Sequence, residues 1–268
     1  MAYAYIKEYW DDKEKRAKQA QKHTEKMEEY FGEFINKSTR DTIYYFPQFE
    51  CKKKIEKDMK IIVDDIDSVG AIFKYANEDD KMAVLNFASY KNPGGQFLNG
   101  SKAQEECLCH ESYLYNVLSK INDYYDWNNQ HKNKALYLNR GLYSPNICFC
   151  RKEGSSHIRW IWEWCDVITC AAPNKTAAQK YMNVTNEENT EALRSRIKFV
   201  LDIAKNNEVD TLILGAYGCG VFGQDPYEVA NIFKEYLDDC KCFKTVIFAV
   251  PNGKNYNYEA FMKTFEGK

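Results

Sequence analysis

The chain has 268 residues, 44% of them hydrophobic, and a formal net charge of −2. That length suits one large α/β domain with an ample core, and the near-neutral balance excludes a basic surface built to coat a polyanion, so an anionic ligand must be held by local geometry. No run reaches the roughly eighteen apolar residues of a membrane span, and residues 1–8 carry no signal-peptide apolar region, so a cytoplasmic protein without membrane contact is expected.

In chain order, residues 11–37 carry dense alternating charge with Ala17, Ala20, Met27, Tyr30, Phe31 and Phe34 at three- and four-residue spacing. This predicts an amphipathic helix that serves as scaffold. Apolar runs at 61–63, 82–88, 167–170, 211–214 and 245–250 predict strands of a sheet covered on both faces. Helical patterns lie near 101–119, 188–206, 225–238 and 256–265. The alternation predicts an α/β fold, a three-layer sandwich around a mixed, largely parallel sheet. Residues 121–139 read as an exposed excursion and 151–157 as a surface loop. No repeat or linker divides the chain, so 1–268 reads as a single domain.

Ten cysteines include three C-x-C pairs, Cys107/Cys109, Cys148/Cys150 and Cys240/Cys242, and no C-x-x-C. The histidines, His23, His110, His131 and His157, show no metal-ligand spacing. Reduced thiols used as small buried hydrophobes are expected, as where Cys148 and Cys150 alternate with Ile147 and Phe149.

The run ending at Ala88 is followed by Asn92-Pro93-Gly94-Gly95-Gln96-Phe97-Leu98-Asn99-Gly100. Its glycines and proline set unusual backbone angles and admit a ligand to the main chain. Ser101 is expected to cap a helix, with Gln104 three residues on, which puts Glu105 and Glu106 in the first or second turn. Adjacent helical positions diverge by about 100°, so the two carboxylates take different parts. A glycosidic bond needs an acid for the leaving oxygen and carboxylate help for an oxocarbenium-like transition state. Glutamates at a helix start can equally serve the macrodipole; a glycine loop at the carboxyl end of a strand, where open α/β sheets bind ligands, favours chemistry. Asn86 and Asn99 are candidate partners of a ribose hydroxyl, or loop caps.

A second loop, Gly215-Ala216-Tyr217-Gly218-Cys219-Gly220-Val221-Phe222-Gly223, follows the run 211–214. Asp225 is expected to cap the next helix, with Pro226 at its first position and Glu228 completing a capping box. Strand, glycine loop and helix start together form a cradle for a diphosphate, with main-chain N–H donors. Residues 218–223 also spell G-x-G-x-x-G. A nicotinamide-dinucleotide site is set aside because the next strand ends in Pro251-Asn252 with no acidic residue, and Asp238 and Asp239 close a helix. Phe97, Tyr217 and above all Phe222 are candidates for stacking on a base or ribose.

Together these segments resemble the microbial-type poly(ADP-ribose) glycohydrolases, a branch of the macrodomain fold. The family pattern of a triple glycine, a short spacer and Gln-Glu-Glu is matched by Gly94-Gly95-Gln96 and Gln104-Glu105-Glu106. Further matches lie at Tyr143-Ser144-Pro145, from Asp166 to Asn174 and from Gly215 to Gly223, in family order from about residue 38 onward. The resemblance implies a macrodomain-like α/β/α sandwich with residues 1–40 as an N-terminal helical extension packed on it. It implies ADP-ribose held by Asn86, Gly94, Gly95, Gln96, Asn99, Gln104, Gly218, Cys219, Gly220, Val221 and Phe222. Glu106 is then the catalytic acid/base and Glu105 orients the ribose. The implied reaction cleaves ribose–ribose O-glycosidic bonds and releases ADP-ribose, by a monomer, from polymer or ADP-ribosylated protein, with no metal and no cofactor. Nucleic acid enters only as a modified acceptor. The departure is Gln96, where the family has its third glycine. A side chain there narrows the site, adds a hydrogen bond or stops turnover, so a non-catalytic ADP-ribose binder and a mono-ADP-ribosyl hydrolase stand as alternatives.

Overall fold

A computed structural model describes residues 11–153, 159–253 and 255–266 of the chain. Helix α1 (Lys13–Asp41) is capped by Asp12, whose carboxylate accepts the Lys15 N–H at 2.9 Å. It runs further than its charge pattern predicts, with a local kink at Phe31. Seven strands follow: β1 (Ile43–Tyr45), β2 (Lys60–Asp64), β3 (Met82–Phe87), β4 (Gly141–Glu153), β5 (Arg159–Cys170), β6 (Thr211–Leu214) and β7 (Thr245–Ala249). They form one sheet in the order β1-β4-β5-β3-β6-β7-β2. From β5 to β2 neighbours are parallel, while β4 pairs antiparallel with both β5 and β1. The sheet is mixed and mostly parallel, as expected.

The two-residue period of a strand decides which helices cover which face. Ala83 and Leu85 point into a cluster with Leu212, Leu214, Val246 and Phe248. That face is covered by α7 (Asn186–Asn206), α8 (Pro226–Asp239) and α9 (Asn257–Phe265). Met82 and Val84 point the other way, with Ile213 and Ile247. There the cover is α1 with α2 (Ser68–Tyr75), α3 (Gln104–His110), α4 (Leu114–Leu118) and α5 (Asn122–Gln130). A last helix, α6 (Lys175–Met182), follows β5. The result is the three-layer α/β/α sandwich.

Several expectations are corrected. The helix at 101–119 is two short helices, α3 and α4, and the first is preceded by Ala103 with no side-chain cap, not by Ser101. The exposed excursion at 121–139 contains α5, which buries Tyr124, Tyr125 and Asn128. Polar and aromatic residues form its buried side, so apolar periodicity missed it. Arg151 to Glu153 continue β4 instead of starting a loop, and the remainder of that stretch, His157 included, lies outside the described residues. Asp225 caps α8 as expected, but Glu228 accepts from the Thr190 hydroxyl on α7, so no reciprocal box forms; that motif occurs at Thr185 and Glu188. Cys240 and Cys242 are disulfide-bonded where α8 unwinds into extended backbone and their Cα atoms come within 5.4 Å, whereas the other eight cysteines are free. No helix among the described residues is long and apolar enough to cross a membrane.

Candidate active site

Strands β5, β3 and β6 are parallel neighbours, so the segments leaving their carboxyl ends converge above the sheet. The loop after β3 carries Gly94 and Gly95 at φ +64° and +60°, in the left-handed region that glycine occupies without strain. A Cβ on Gly95 would lie 2.5 Å from Glu106 Oε1 and 2.9 Å from Glu105 Oε2. The main chain is therefore laid directly on both carboxylates, and only glycine fits. Gln96, by contrast, has φ −111°, an ordinary value for an L residue. The position where the family pattern has its third glycine does not need one here.

Both glutamates start α3 and both are buried. Glu105 Oε2 accepts the Ser89 N–H at 2.7 Å and Oε1 the Asn86 amide at 3.2 Å. Burial pushes its carboxyl up to about 8, with Glu106 adding to the rise and the Ser89 N–H opposing it. Glu106 is held differently. Its Oε1 accepts the Gln96 N–H at 2.8 Å, while Oε2 is buried with no hydrogen-bond partner. A buried carboxylate oxygen without a partner is the kind of polar atom that calls for an explanation.

The second loop, after β6, follows the same logic. Gly218 and Gly223 take φ +77° and +71°. A Cβ on Gly218 would lie 2.9 Å from Ala172 Cβ, which packs the loop against the segment leaving β5. Gln224 fixes its end, donating to the Pro173 carbonyl at 2.8 Å and exchanging two 2.9 Å bonds with Asn189 of α7. Between these anchors the N–H groups of Gly218, Gly220, Val221 and Phe222 donate to no acceptor among the described residues. Gly220 and Val221 are exposed, Val221 at 86%. This is a nest of free donors suited to an anion. Cys219 sits in the loop, its thiol pushed up to about 12 by burial.

Some expected ligand residues turn inward. Asn86 is wholly buried, and its amide donates to Glu105 and to the Thr169 hydroxyl. Gln104 accepts the Phe87 N–H at 2.8 Å and donates to Ser68 Oγ and the Leu85 carbonyl, clamping α3 to the end of β3. Gln104 has its whole amide spent in this way, while Asn86 supports Glu105 through its Nδ2 and keeps Oδ1 buried without a partner. Of the stacking candidates, Phe97 is core, against His110 and Tyr115, and Tyr217 is buried with its hydroxyl on the Cys170 carbonyl. Phe222 alone stays half-exposed, beside Tyr137, which stacks on Tyr90. Asn99 is exposed and donates to Gln96 Oε1 at 2.7 Å. The stretches at 143–145 and 166–174 hold the frame: the Tyr143 hydroxyl and the Asn146 N–H both donate to Asp166, and Asn174 caps α6. Ser89 has a part that sequence reading missed, because it acts through its main chain.

A mixed α/β/α sandwich with a carboxylate pair under one glycine loop and free donors in the next places the molecule in the macrodomain class. Comparison with known proteins narrows the class. The family described as "Microbial-type PARG, catalytic domain" matches residues 12–152. The poly(ADP-ribose) glycohydrolase of Thermomonospora curvata superposes with a TM-score of 0.82 at 28% identity, over 93% of this chain and 99% of that one. Its complex with the inhibitor ADP-HPD gives 0.80 at the same identity and coverage. The Deinococcus radiodurans enzyme, solved with ADP-ribose, gives 0.77 at 31% identity, over 87% of this chain and 96% of that one. No curated protein matches the chain. The chain belongs to the microbial-type poly(ADP-ribose) glycohydrolase family and is a glycosidase. The family match begins at residue 12 and so spans α1.

Proposed function

We propose that this chain releases ADP-ribose from poly(ADP-ribose) by hydrolysing the ribose–ribose O-glycosidic bond, with Glu106 as general acid and then general base. The observation that carries the assignment is the asymmetry of the Glu106 carboxyl, one oxygen fixed by the Gln96 N–H and the other buried and open. The open oxygen gives its proton to the bridging oxygen as the anomeric C–O bond breaks. Water then adds to the oxocarbenium-like sugar and returns a proton to Glu106, which balances the hydrolysis. Glu105, its carboxyl raised to about 8 mainly by burial, meets the ribose hydroxyls beside Glu106. The free N–H groups of Gly218, Gly220, Val221 and Phe222 take the diphosphate, and Phe222 lines the neighbouring wall. Solved relatives bound to ADP-ribose and to ADP-HPD support ADP-ribose as ligand here.

Glu106→Gln tests the role. It keeps the bond from the Gln96 N–H but carries no transferable proton. Release of ADP-ribose from polymer should fall by at least about 10²-fold, while calorimetric affinity for ADP-ribose stays within a few-fold. Release at the wild-type rate would remove Glu106 from the chemistry.

A further inference from the structure

The rim beside Glu106 carries a feature that the glycine of the family pattern cannot supply. The Gln96 N–H is committed to Glu106 Oε1, so the Gln96 side chain leaves the main chain one bond from the group that orients the acid. That side chain is exposed, and its carboxamide is not loose: Gln96 Oε1 accepts from Asn99 Nδ2 at 2.7 Å, across a single turn of 3-10 helix. Two amides joined by one such bond leave a donor on one and an acceptor on the other, both facing solvent. The same holds if both amides are turned end for end.

Glu106 has one oxygen open, and the leaving oxygen must approach it. With ADP-ribose held at the second glycine loop, as proposed above, the leaving group would extend over the rim of the first loop, which carries Gln96 and Asn99. We infer that Gln96 and Asn99 form a leaving-group subsite, a fixed donor–acceptor pair that recognises the hydroxyls of the next ribose in the polymer. A sugar hydroxyl both donates and accepts, and so satisfies such a pair. A serine side chain leaving from a mono-modified protein brings no further hydroxyl to it. The substitution then adds a contact to the next ribose of the polymer that protein-linked mono-ADP-ribose does not make. This rests on the glycohydrolase reading of Glu106.

The test compares wild type with Gln96→Ala, which removes the amide but keeps a Cβ and an ordinary φ at an exposed position. Poly(ADP-ribose) and a peptide mono-ADP-ribosylated on serine serve as substrates, and ADP-ribose binding is measured by calorimetry. The expected result is a fall of about ten-fold in kcat/KM on polymer, carried mainly by KM. The Kd for ADP-ribose should shift less than two-fold, and any release from the peptide should fall far less than that from polymer. An unchanged kcat/KM on polymer overturns the proposal. So does an equal loss on both substrates, or a matching loss of ADP-ribose affinity, either of which places the amide against ADP-ribose itself or in the scaffold. Failure of the wild type to cleave polymer would instead defeat the glycohydrolase reading, and the control shows it directly.

Discussion

Glu105 and Glu106 are chain neighbours that the fold treats in opposite ways. Glu105 is held from two sides, by the Ser89 N–H and the Asn86 amide, and its carboxyl is raised to about 8. A carboxyl whose pKa is higher folded than unfolded stabilises most below its unfolded pKa, and that contribution is lost as pH rises through the folded value. Stability should therefore decline between about pH 4.5 and pH 8. Glu105→Gln cannot ionise, and its amide can donate to Asn86 Oδ1, which now lacks a partner. Thermal melts across that range should show the variant gaining on wild type as pH rises, with a Tm higher by roughly 5 °C near pH 8. Parallel curves would show that Glu105 is not the group titrating. At this scale the sequence singled out the two carboxyls and was silent about what holds them. Gln104 looked like a ligand residue because its partners, the Phe87 N–H and Ser68 Oγ, lie 17 and 36 residues away. Gln96 and Asn99 were visible as amides in a glycine loop, but not as a bonded pair.

Helix α1 looked like scaffold from its charge pattern, yet it is built into the catalytic loop. Arg16 is buried and donates through Nε to the Gly100 carbonyl at 2.7 Å. Gly100, at φ +74°, lies so close that a Cβ would overlap the Lys13 carbonyl and come 2.8 Å from the Ala17 nitrogen. His23 reaches the Ser112 carbonyl at 2.7 Å, and burial pushes its imidazole down to about 3. Gly100→Ala therefore meets both a backbone penalty of about 1 kcal/mol or more and a clash that lifts α1 off the loop. We expect its Tm to fall by several degrees, and amide exchange to rise along the first half of α1 and in the 94–100 loop together. Exchange that rises in the loop alone would show α1 to be a passive cover. Elements were legible where burial is apolar and periodic, as in β3, β6, β7, α7 and α8. They were missed where it is not. Trp160, Trp162 and Trp164 alternate along the outer half of β5, Trp162 and Trp164 packing on α1 through Phe31 and Phe34, so this part of the strand shows no continuous apolar run.

For the molecule as a whole, the strand order brings the two glycine loops together. Strands β3 and β6 are parallel neighbours far apart in sequence, so one sheet edge carries the acid-bearing loop beside the anion-binding loop. That each glycine loop follows an apolar strand and precedes a helix was legible in the sequence, while their meeting was implied only by the family resemblance. The long β4–β5 hairpin was not legible, since it depends on pairing between two segments that lack continuous apolar runs over most of their length. The central claim is that the crevice turns over polymer and does not merely hold its end. The direct measurement incubates the protein with poly(ADP-ribose) and, separately, with mono-ADP-ribosylated protein, and quantifies free ADP-ribose over time. Catalytic release from polymer, many ADP-ribose molecules per protein, is the predicted result. Tight binding of ADP-ribose with no release from either substrate would contradict it and make the chain a reader of the modification.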